Sequence, residues 1–217
     1  PGRLDYLLNL KGFINKKFNY SNEKKLRGLD IGSGANAIYC ILGAQHFSWH
    51  MVGSEFDLKA IEFSEKNINF TKNLPEKINI RRQTNKSYLF KGIINEDELF
   101  DFTVCNPPFH NSIQEASKSA LLKINNLKKS DSNKEISLNF AGQANELWCN
   151  GGEKLFIKRL IKESVFFKNQ VKVFSSLVSK VNSLITIKTQ LKKVNAKFTV
   201  LQMNQGNKKS RLILWWF

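Results

Sequence analysis

The stretch Leu26-Arg27-Gly28-Leu29-Asp30-Ile31-Gly32-Ser33-Gly34-Ala35-Asn36-Ala37 decides how the rest of the chain is read. Leu26 to Ile31 is a run that suits a buried strand, and the glycines at 32 and 34 break it sharply. Ala37 to Leu42 then has the composition of a helix start. Strand, glycine turn and helix in this order let a backbone approach a ligand closely at a helix N-terminus.

Working outward, strands are predicted at His50 to Ser54, ending at Glu55-Phe56-Asp57, and at Lys77 to Gln83, Phe100 to Cys105 and Val171 to Val178. Two more are predicted at Lys197 to Met203 and Leu212 to Phe217, around a loop from Asn204 to Arg211. Helical spacing covers residues 4 to 14, Leu58 to Asn69 and Asn182 to Lys193. It also covers Glu146 to Lys168 on either side of Gly151-Gly152, and the polar stretch Asn15 to Lys25 reads as a loop. Ile113 to Lys134 is polar and rich in Ser, Lys and Asn; its first half is compatible with a helix and its second half reads as a mobile surface loop. Alternating strands and helices predict an α/β fold in one domain, with a mostly parallel seven-stranded sheet and helices on both faces. About eight residues join the last two strands, fewer than a parallel crossover takes, so the last strand should be antiparallel.

The 217 residues are enough for one good core. Their first residue is Pro1 rather than Met, which suggests a trimmed chain. No apolar run approaches the roughly 18 residues of a membrane span. Cys40, Cys105 and Cys149 are scattered and lack C-x-x-C spacing, which argues against a disulfide framework or zinc cluster and for a reducing, cytoplasmic setting. Lys plus Arg is 34 against 18 Asp plus Glu, a net +16 that favours polyanionic partners, nucleic acid first. No helical stretch pairs one basic with one strongly apolar face, which counts against a membrane partner. His46 and His50 read as structural, and no His, Cys and carboxylate cluster points to a metal.

The second informative stretch is Asn106-Pro107-Pro108-Phe109, directly behind a predicted strand. Two prolines fix φ near −65° and donate no N–H, so the turn continues as neither helix nor inner strand. It can hold an amide side chain and carbonyl acceptors beside an aromatic face, an arrangement suited to a flat group carrying an NH2. Asn106 and the Pro107 carbonyl would accept from that amine, Pro108 would stiffen the turn, and Phe109 would stack on the ring. His110 either touches substrate or caps the turn.

Gly32-x-Gly34-x-x-Ala37 also satisfies the dinucleotide fingerprint, so NAD is weighed against S-adenosylmethionine. Asp30, two residues before the first glycine, would repel a pyrophosphate. Near a sulfonium and an aminoacyl group the same carboxylate is favourable or harmless, which points to S-adenosylmethionine. Glu55 can accept ribose hydroxyls of either cofactor. Gly32, Glu55 and Asn106 each follow a strand, so all three should open on the carboxyl edge of the sheet.

Several further stretches occur in order. They are Gly2-Arg3-Leu4-Asp5-Tyr6, Leu29 to Asn36, Gly53-Ser54-Glu55-Phe56-Asp57, Cys105 to His110, Leu138-Asn139-Phe140-Ala141-Gly142-Gln143, Glu146-Leu147-Trp148-Cys149, Gly151-Gly152-Glu153, Gln205-Gly206 and Ser210-Arg211. Together they resemble the bacterial 23S ribosomal RNA adenine-N6 methyltransferases, whose relatives include eukaryotic methyltransferase-like enzymes that act on a small nuclear RNA. The resemblance runs essentially end to end. It implies a Rossmann-like class I S-adenosylmethionine-dependent methyltransferase fold, with Arg3, Asp30, Gly32, Gly34, Glu55 and Asn106 at the cofactor. It also places Gln83 to Ser87 near the cofactor's adenine, with Lys86 standing where relatives carry Ser or Thr.

The implied partner is 23S ribosomal RNA or a ribosome assembly intermediate, with Lys208, Lys209 and Arg211 as candidate phosphate contacts. Relatives carry a segment before Arg3 that contributes to RNA binding, and its absence here implies weaker RNA binding. DNA adenine or protein glutamine methylation, and a non-catalytic RNA-binding scaffold, are the alternative readings.

Overall fold

The computed structural model describes residues 2–108, 152–205 and 208–217. Helix α1 (Gly2–Phe18) leads into β1 (Arg27–Ile31), α2 (Ile38–Phe47), β2 (His50–Glu55), α3 (Leu58–Asn69), β3 (Ile78–Arg82) and β4 (Phe100–Cys105). After residues outside the described set come α4 (Gly152–Ser164), a 3-10 turn (Val165–Phe167), β5 (Val171–Val178), α5 (Val181–Lys193), β6 (Lys197–Gln205) and β7 (Lys208–Trp216). The strands form one seven-stranded sheet in the order β3-β2-β1-β4-β5-β7-β6. The first five are parallel to one another, and β7 runs antiparallel to both β5 and β6.

Both faces are covered. On one, Leu7, Leu10 and Ile14 of α1 and Tyr39, Cys40 and Ala44 of α2 pack with Met51, Phe102, Val104, Leu212 and Leu214. On the other, Ile157, Leu160 and Ile161 of α4 and Ile187 and Leu191 of α5 pack with Leu29, Val52, Phe174, Ile213 and Trp215. β7 alternates Leu212, Leu214 to the first core and Ile213, Trp215 to the second, as a pleated strand buried on both faces must.

Local chemistry sets the element ends. Asp57 caps α3, its Oδ1 accepting from Lys59 N at 2.8 Å and Ala60 N at 3.2 Å. Glu153 of α4 accepts from Ser179 N at 2.7 Å and Lys180 N at 3.2 Å, fixing the chain just before α5.

Two expectations are corrected. α1 continues to Phe18 through part of the stretch read as a loop, because Lys17 lays its ammonium 3.9 Å from the Trp216 ring centre and Phe18 packs against the core. The loop read at Asn204 to Arg211 is largely strand, with pairing that runs to Asn204↔Lys209 and Gln205↔Lys208. Ladder hydrogen bonds need no apolar side chains, so this polar extension carried no hydrophobic periodicity.

The central sheet tolerates little added volume. A Cβ on Gly28 would lie 2.3 Å from Phe102 Cζ and 2.8 Å from Met51 Sδ, both on fully packed side chains. Gly28→Ala is expected to cost about 1–3 kcal/mol. In a chain of this size that lowers the thermal midpoint by about 2–4 °C per kcal/mol. An unshifted midpoint would show that Phe102 can give way.

Candidate functional site

The strand register brings the predicted site residues to one edge. Ile31 pairs with Ser54 on one side and Cys105 on the other, so the carboxyl ends of β1, β2 and β4 are flush. The chain reverses sharply after β1: Gly32 and Gly34 adopt φ of 72° and 64°, left-handed values that glycine takes without strain. Gly32 N and Ser33 N both donate to Ser54 O at 3.0 Å, tying the turn to β2. A Cβ built on Gly32 would meet nothing within 4 Å, so open space lies over the turn. Helix α2 follows with no side-chain cap.

Asp30, the penultimate β1 residue, is 1% exposed. Its Oδ2 has the Cys40 thiol as a long donor at 3.8 Å, and its Oδ1 has no hydrogen-bond partner. Burial, with help from the nearby Glu55 charge, pushes its carboxyl up to about 8, against the opposing pull of Cys40 and the Arg3 charge. Burial likewise raises the Cys40 thiol and, with the Asp30 charge, the Tyr39 phenol. Asp30 Oδ1, Ser33 Oγ, Tyr39 OH, Trp49 Nε1 and Asn106 Oδ1 are the buried side-chain polar atoms without a hydrogen bond among the described residues. Four of the five belong to this edge. A buried polar atom without a partner costs free energy comparable to a lost hydrogen bond, so their clustering points to a ligand that completes them. Arg3, exposed on the first turn of α1, is the cation in electrostatic reach of Asp30 and Tyr39.

Glu55 ends β2 with its carboxylate already engaged. Oε2 accepts from Gly34 N at 2.9 Å, and Oε1 accepts from Phe56 N at 2.7 Å and Asp57 N at 3.1 Å. A carboxylate has about four acceptor positions. One is left free here, so gripping two hydroxyls at once would require Gly34 to release its bond.

Beyond β3, Gln83 N donates to Glu55 O at 2.8 Å, which brings the Gln83 to Ser87 segment against the end of β2. Lys86 stands 4.5 Å over the Phe56 ring, and Ser87 N closes a turn on Asn85 Oδ1 at 2.9 Å. Helix α4 holds this segment from outside. Arg159 donates to Lys86 O at 2.6 Å, and Glu163 accepts from Leu89, Phe90 and Lys91 N at 2.8 to 3.0 Å.

Asn106, Pro107 and Pro108 follow β4, with Pro107 buried and Asn106 and Pro108 half-buried. Phe109 and His110 lie outside the described residues. Arg211 sits within β7 rather than in a loop, paired with Val178 and Gln202. Its hairpin reaches the carboxyl edge two strands from β4, about 10 Å away at the usual strand spacing. Lys208 and Lys209 begin the same strand.

Sequence reasoning passed over Tyr39 and Ser33. Ser33 stood inside the glycine turn, whereas nothing in the sequence marked Tyr39. A groove of about 770 Å³ opens at the opposite, amino edge, lined by Arg27, His50, Met51, Glu65, Lys77 and Arg81 among others. None of the unpartnered buried polar atoms lines it, so the candidate site is the carboxyl edge. Among the described residues, no group of His, Cys, Asp and Glu could hold a metal ion. Among the described residues, no helix is long and apolar enough to cross a membrane.

Comparison with known proteins agrees with this geometry. The N-terminal domain of human METTL16 in complex with SAH has a TM-score of 0.74 at 27% identity, covering 100% of this chain and 70% of that one. The human METTL16 catalytic domain in complex with the MAT2A 3′UTR hairpin 6 has a TM-score of 0.74 at 26% identity, covering 98% and 70%. With the observed strand order, this is the Rossmann-like fold of S-adenosylmethionine-dependent methyltransferases.

In sequence, the protein named Ribosomal RNA large subunit methyltransferase F from Christiangramia forsetii is 48% identical over 217 residues, which cover 100% of this chain and 74% of that protein. Its namesake from Colwellia psychrerythraea is 45% identical over 223 residues, with 100% and 74% covered. A family model described as RNA methyltransferase matches residues 1–217, and the chain belongs to that RNA methyltransferase family.

Proposed function

We propose that this chain transfers a methyl group from S-adenosylmethionine to N6 of an adenine in 23S ribosomal RNA, either free or in an assembling particle, in the cytoplasm. The observation that carries the reading is the cluster of unpartnered buried polar atoms on Asp30, Ser33 and Asn106, at the flush ends of β1 and β4 beside open space over Gly32. The names of the two sequence relatives support ribosomal RNA as acceptor. The RNA hairpin bound by human METTL16 supports an RNA acceptor in general.

These residues fit the cofactor. Arg3 would pair with its carboxylate, and Asp30 would face its cationic groups. Gly32 and Gly34 would let the backbone approach closely, and Glu55 would accept from the ribose. Lys86 and Ser87 would lie beside the adenine. When bound, S-adenosylmethionine supplies an electrophilic methyl on a sulfonium.

The acceptor is a weak nucleophile, since its lone pair is delocalised into the ring, so positioning has to do most of the work. Asn106 Oδ1 and the Pro107 carbonyl would accept the two N–H bonds of the amine and direct its lone pair at the methyl carbon. The nitrogen would take the methyl carbon as the S–C bond breaks, leaving S-adenosylhomocysteine, and would then lose a proton to water. Pro107 and Pro108 keep the turn from yielding, and Phe109 would stack on the base. His110, Lys208, Lys209 and Arg211 would contact the RNA.

The test is transfer of labelled methyl from S-adenosylmethionine to ribosomal RNA of a strain lacking the enzyme, with DNA and glutamine-containing protein as parallel acceptors. N6-methyladenine at a single position in large-subunit RNA is expected. Label in DNA or protein alone, or no cofactor binding by calorimetry, would overturn the assignment.

A further inference from the structure

The β4–β5 ladder ends early. Backbone pairing runs through Phe100↔Val171 and Phe102↔Val173, and side-chain hydrogen bonds continue it toward the carboxyl edge. Ser175 N donates to Thr103 Oγ1 at 3.3 Å, and Ser175 Oγ donates to Thr103 O. Tyr6, from the opposite end of the sequence, is inserted at this place with no exposed surface. Its hydroxyl is 2.9 Å from Ser175 Oγ and accepts from Cys105 N at 3.2 Å.

Because the Ser175 hydrogen is committed to Thr103 O, the Tyr6 hydroxyl is the donor to Ser175. A directed chain results, from Cys105 N–H to Tyr6 O–H to Ser175 O–H to Thr103 C=O. Hydrogen bonds arranged head to tail in a dry interior strengthen one another. Burial raises the Tyr6 phenol well above its usual range, so it remains a donor at any working pH.

The chain begins at Cys105, whose carbonyl carbon is bonded to Asn106. Holding Cys105 N–H anchors the Val104–Cys105 peptide, the last peptide of β4 before the one that opens the amine-holding turn. Tyr6 also lies one helical turn beyond Arg3 on α1, so the two are neighbours on one face. Its ring meets Tyr39 edge-on, with centroids 5.2 Å apart and planes at 75°. Tyr39 in turn is in electrostatic reach of Arg3 and Asp30.

We propose that Tyr6 is a positioning residue for methyl transfer: its hydroxyl wedges β4 from β5 and holds the strand end that carries the Asn106 turn. This rests on the function proposed above. The prediction is that Tyr6→Phe, which keeps the ring and its packing, lowers the single-turnover transfer rate by about 10–100-fold and leaves the cofactor dissociation constant within about 3-fold of wild type. Ser175→Ala, which breaks the chain one link further on, should lower the rate in the same selective way. The double variant should be no slower than Tyr6→Phe alone, because both changes disable one unit.

Rates are measured well below the melting temperature of each variant, with affinity for S-adenosylhomocysteine from calorimetry. A wild-type rate in Tyr6→Phe overturns the proposal, as does a rate loss matched by an equal loss of cofactor affinity. Should Tyr6→Phe fail to fold, Ser175→Ala decides by the same two readings. Failure of the wild-type chain itself to bind cofactor would instead count against the proposed function, and would be seen before any variant is compared.

Discussion

Asn106→Ala is expected to lower methyl transfer by about 10²–10³-fold, the loss typical of removing one preorganised group that acts in the transition state, while cofactor affinity changes little. Asn106 Oδ1 is buried and lacks a partner. An acceptor held in that condition has its desolvation cost already met and gains its hydrogen bond only when a donor arrives. That is the arrangement expected of a group that positions an amine rather than one that stabilises the fold. Pro107, buried behind it, and Pro108 restrict the backbone, so truncating the side chain should not allow the turn to collapse into the gap. Asn106→Asp keeps the acceptor but adds a negative charge to an edge that already holds Asp30 and Glu55. It should retain more activity than alanine and titrate at a raised pH. Single-turnover rates with calorimetry on the same samples decide the matter. Transfer within about 3-fold of wild type in Asn106→Ala, far short of the loss such a group should cause, would remove the amine-holding role.

The parts of this site that could be read in the sequence share a property: their chemistry is local. Two glycines directly behind an apolar strand allow a left-handed turn without strain, and Asn-Pro-Pro stops regular structure, so Gly32, Gly34 and Asn106 were visible as turn residues. The helix Leu58–Asn69 matched its predicted bounds because Ala60, Ser64 and Ile68 are buried at helical spacing, and the strand Val171–Val178 matched because it is an almost continuously buried run. The parts that were not legible depend on distant partners. Tyr6 and Ser175 are 169 residues apart, and their hydrogen bond exists only because α1 packs across β4 and β5. Glu163 was one acidic residue on a helix until the fold placed three backbone N–H groups of another loop against it. The carboxyl-edge extension of β6 and β7 was hidden for a different reason, since its polar residues pair through backbone alone.

Asp30→Asn is expected to raise the stability of the cofactor-free protein at pH 8 and to abolish a pH dependence of cofactor affinity. The folded-state carboxyl titrates near 8 against 3.8 for the free group, chiefly because burial disfavours its ionised form. Below about pH 4 the group is neutral in both states and contributes no penalty. Between about 4 and 8 the unfolded chain ionises it while the folded protein does not, so stability falls by about 1.4 kcal/mol per pH unit in that window and levels off above it. Glu98 works on the acid side. Held to about 2 by Arg81 and Arg27, it contributes stability that is complete above about 4.5 and is lost as pH falls toward 2. Denaturation midpoints from pH 5 to 9 should therefore decline in wild type and hold steady in Asp30→Asn, with both proteins losing stability alike in acid.

The same carboxyl should act on binding with the opposite sign. A sulfonium and an ammonium brought near Asp30 favour its ionised form, so binding at pH 7 releases a proton and affinity rises with pH until about 8. S-adenosylhomocysteine lacks the sulfonium charge and should show a shallower rise. Calorimetry in buffers of different ionisation enthalpy reads the released proton directly. Equal slopes for the two ligands, or a slope that survives in Asp30→Asn, would remove Asp30 from the cofactor's surroundings.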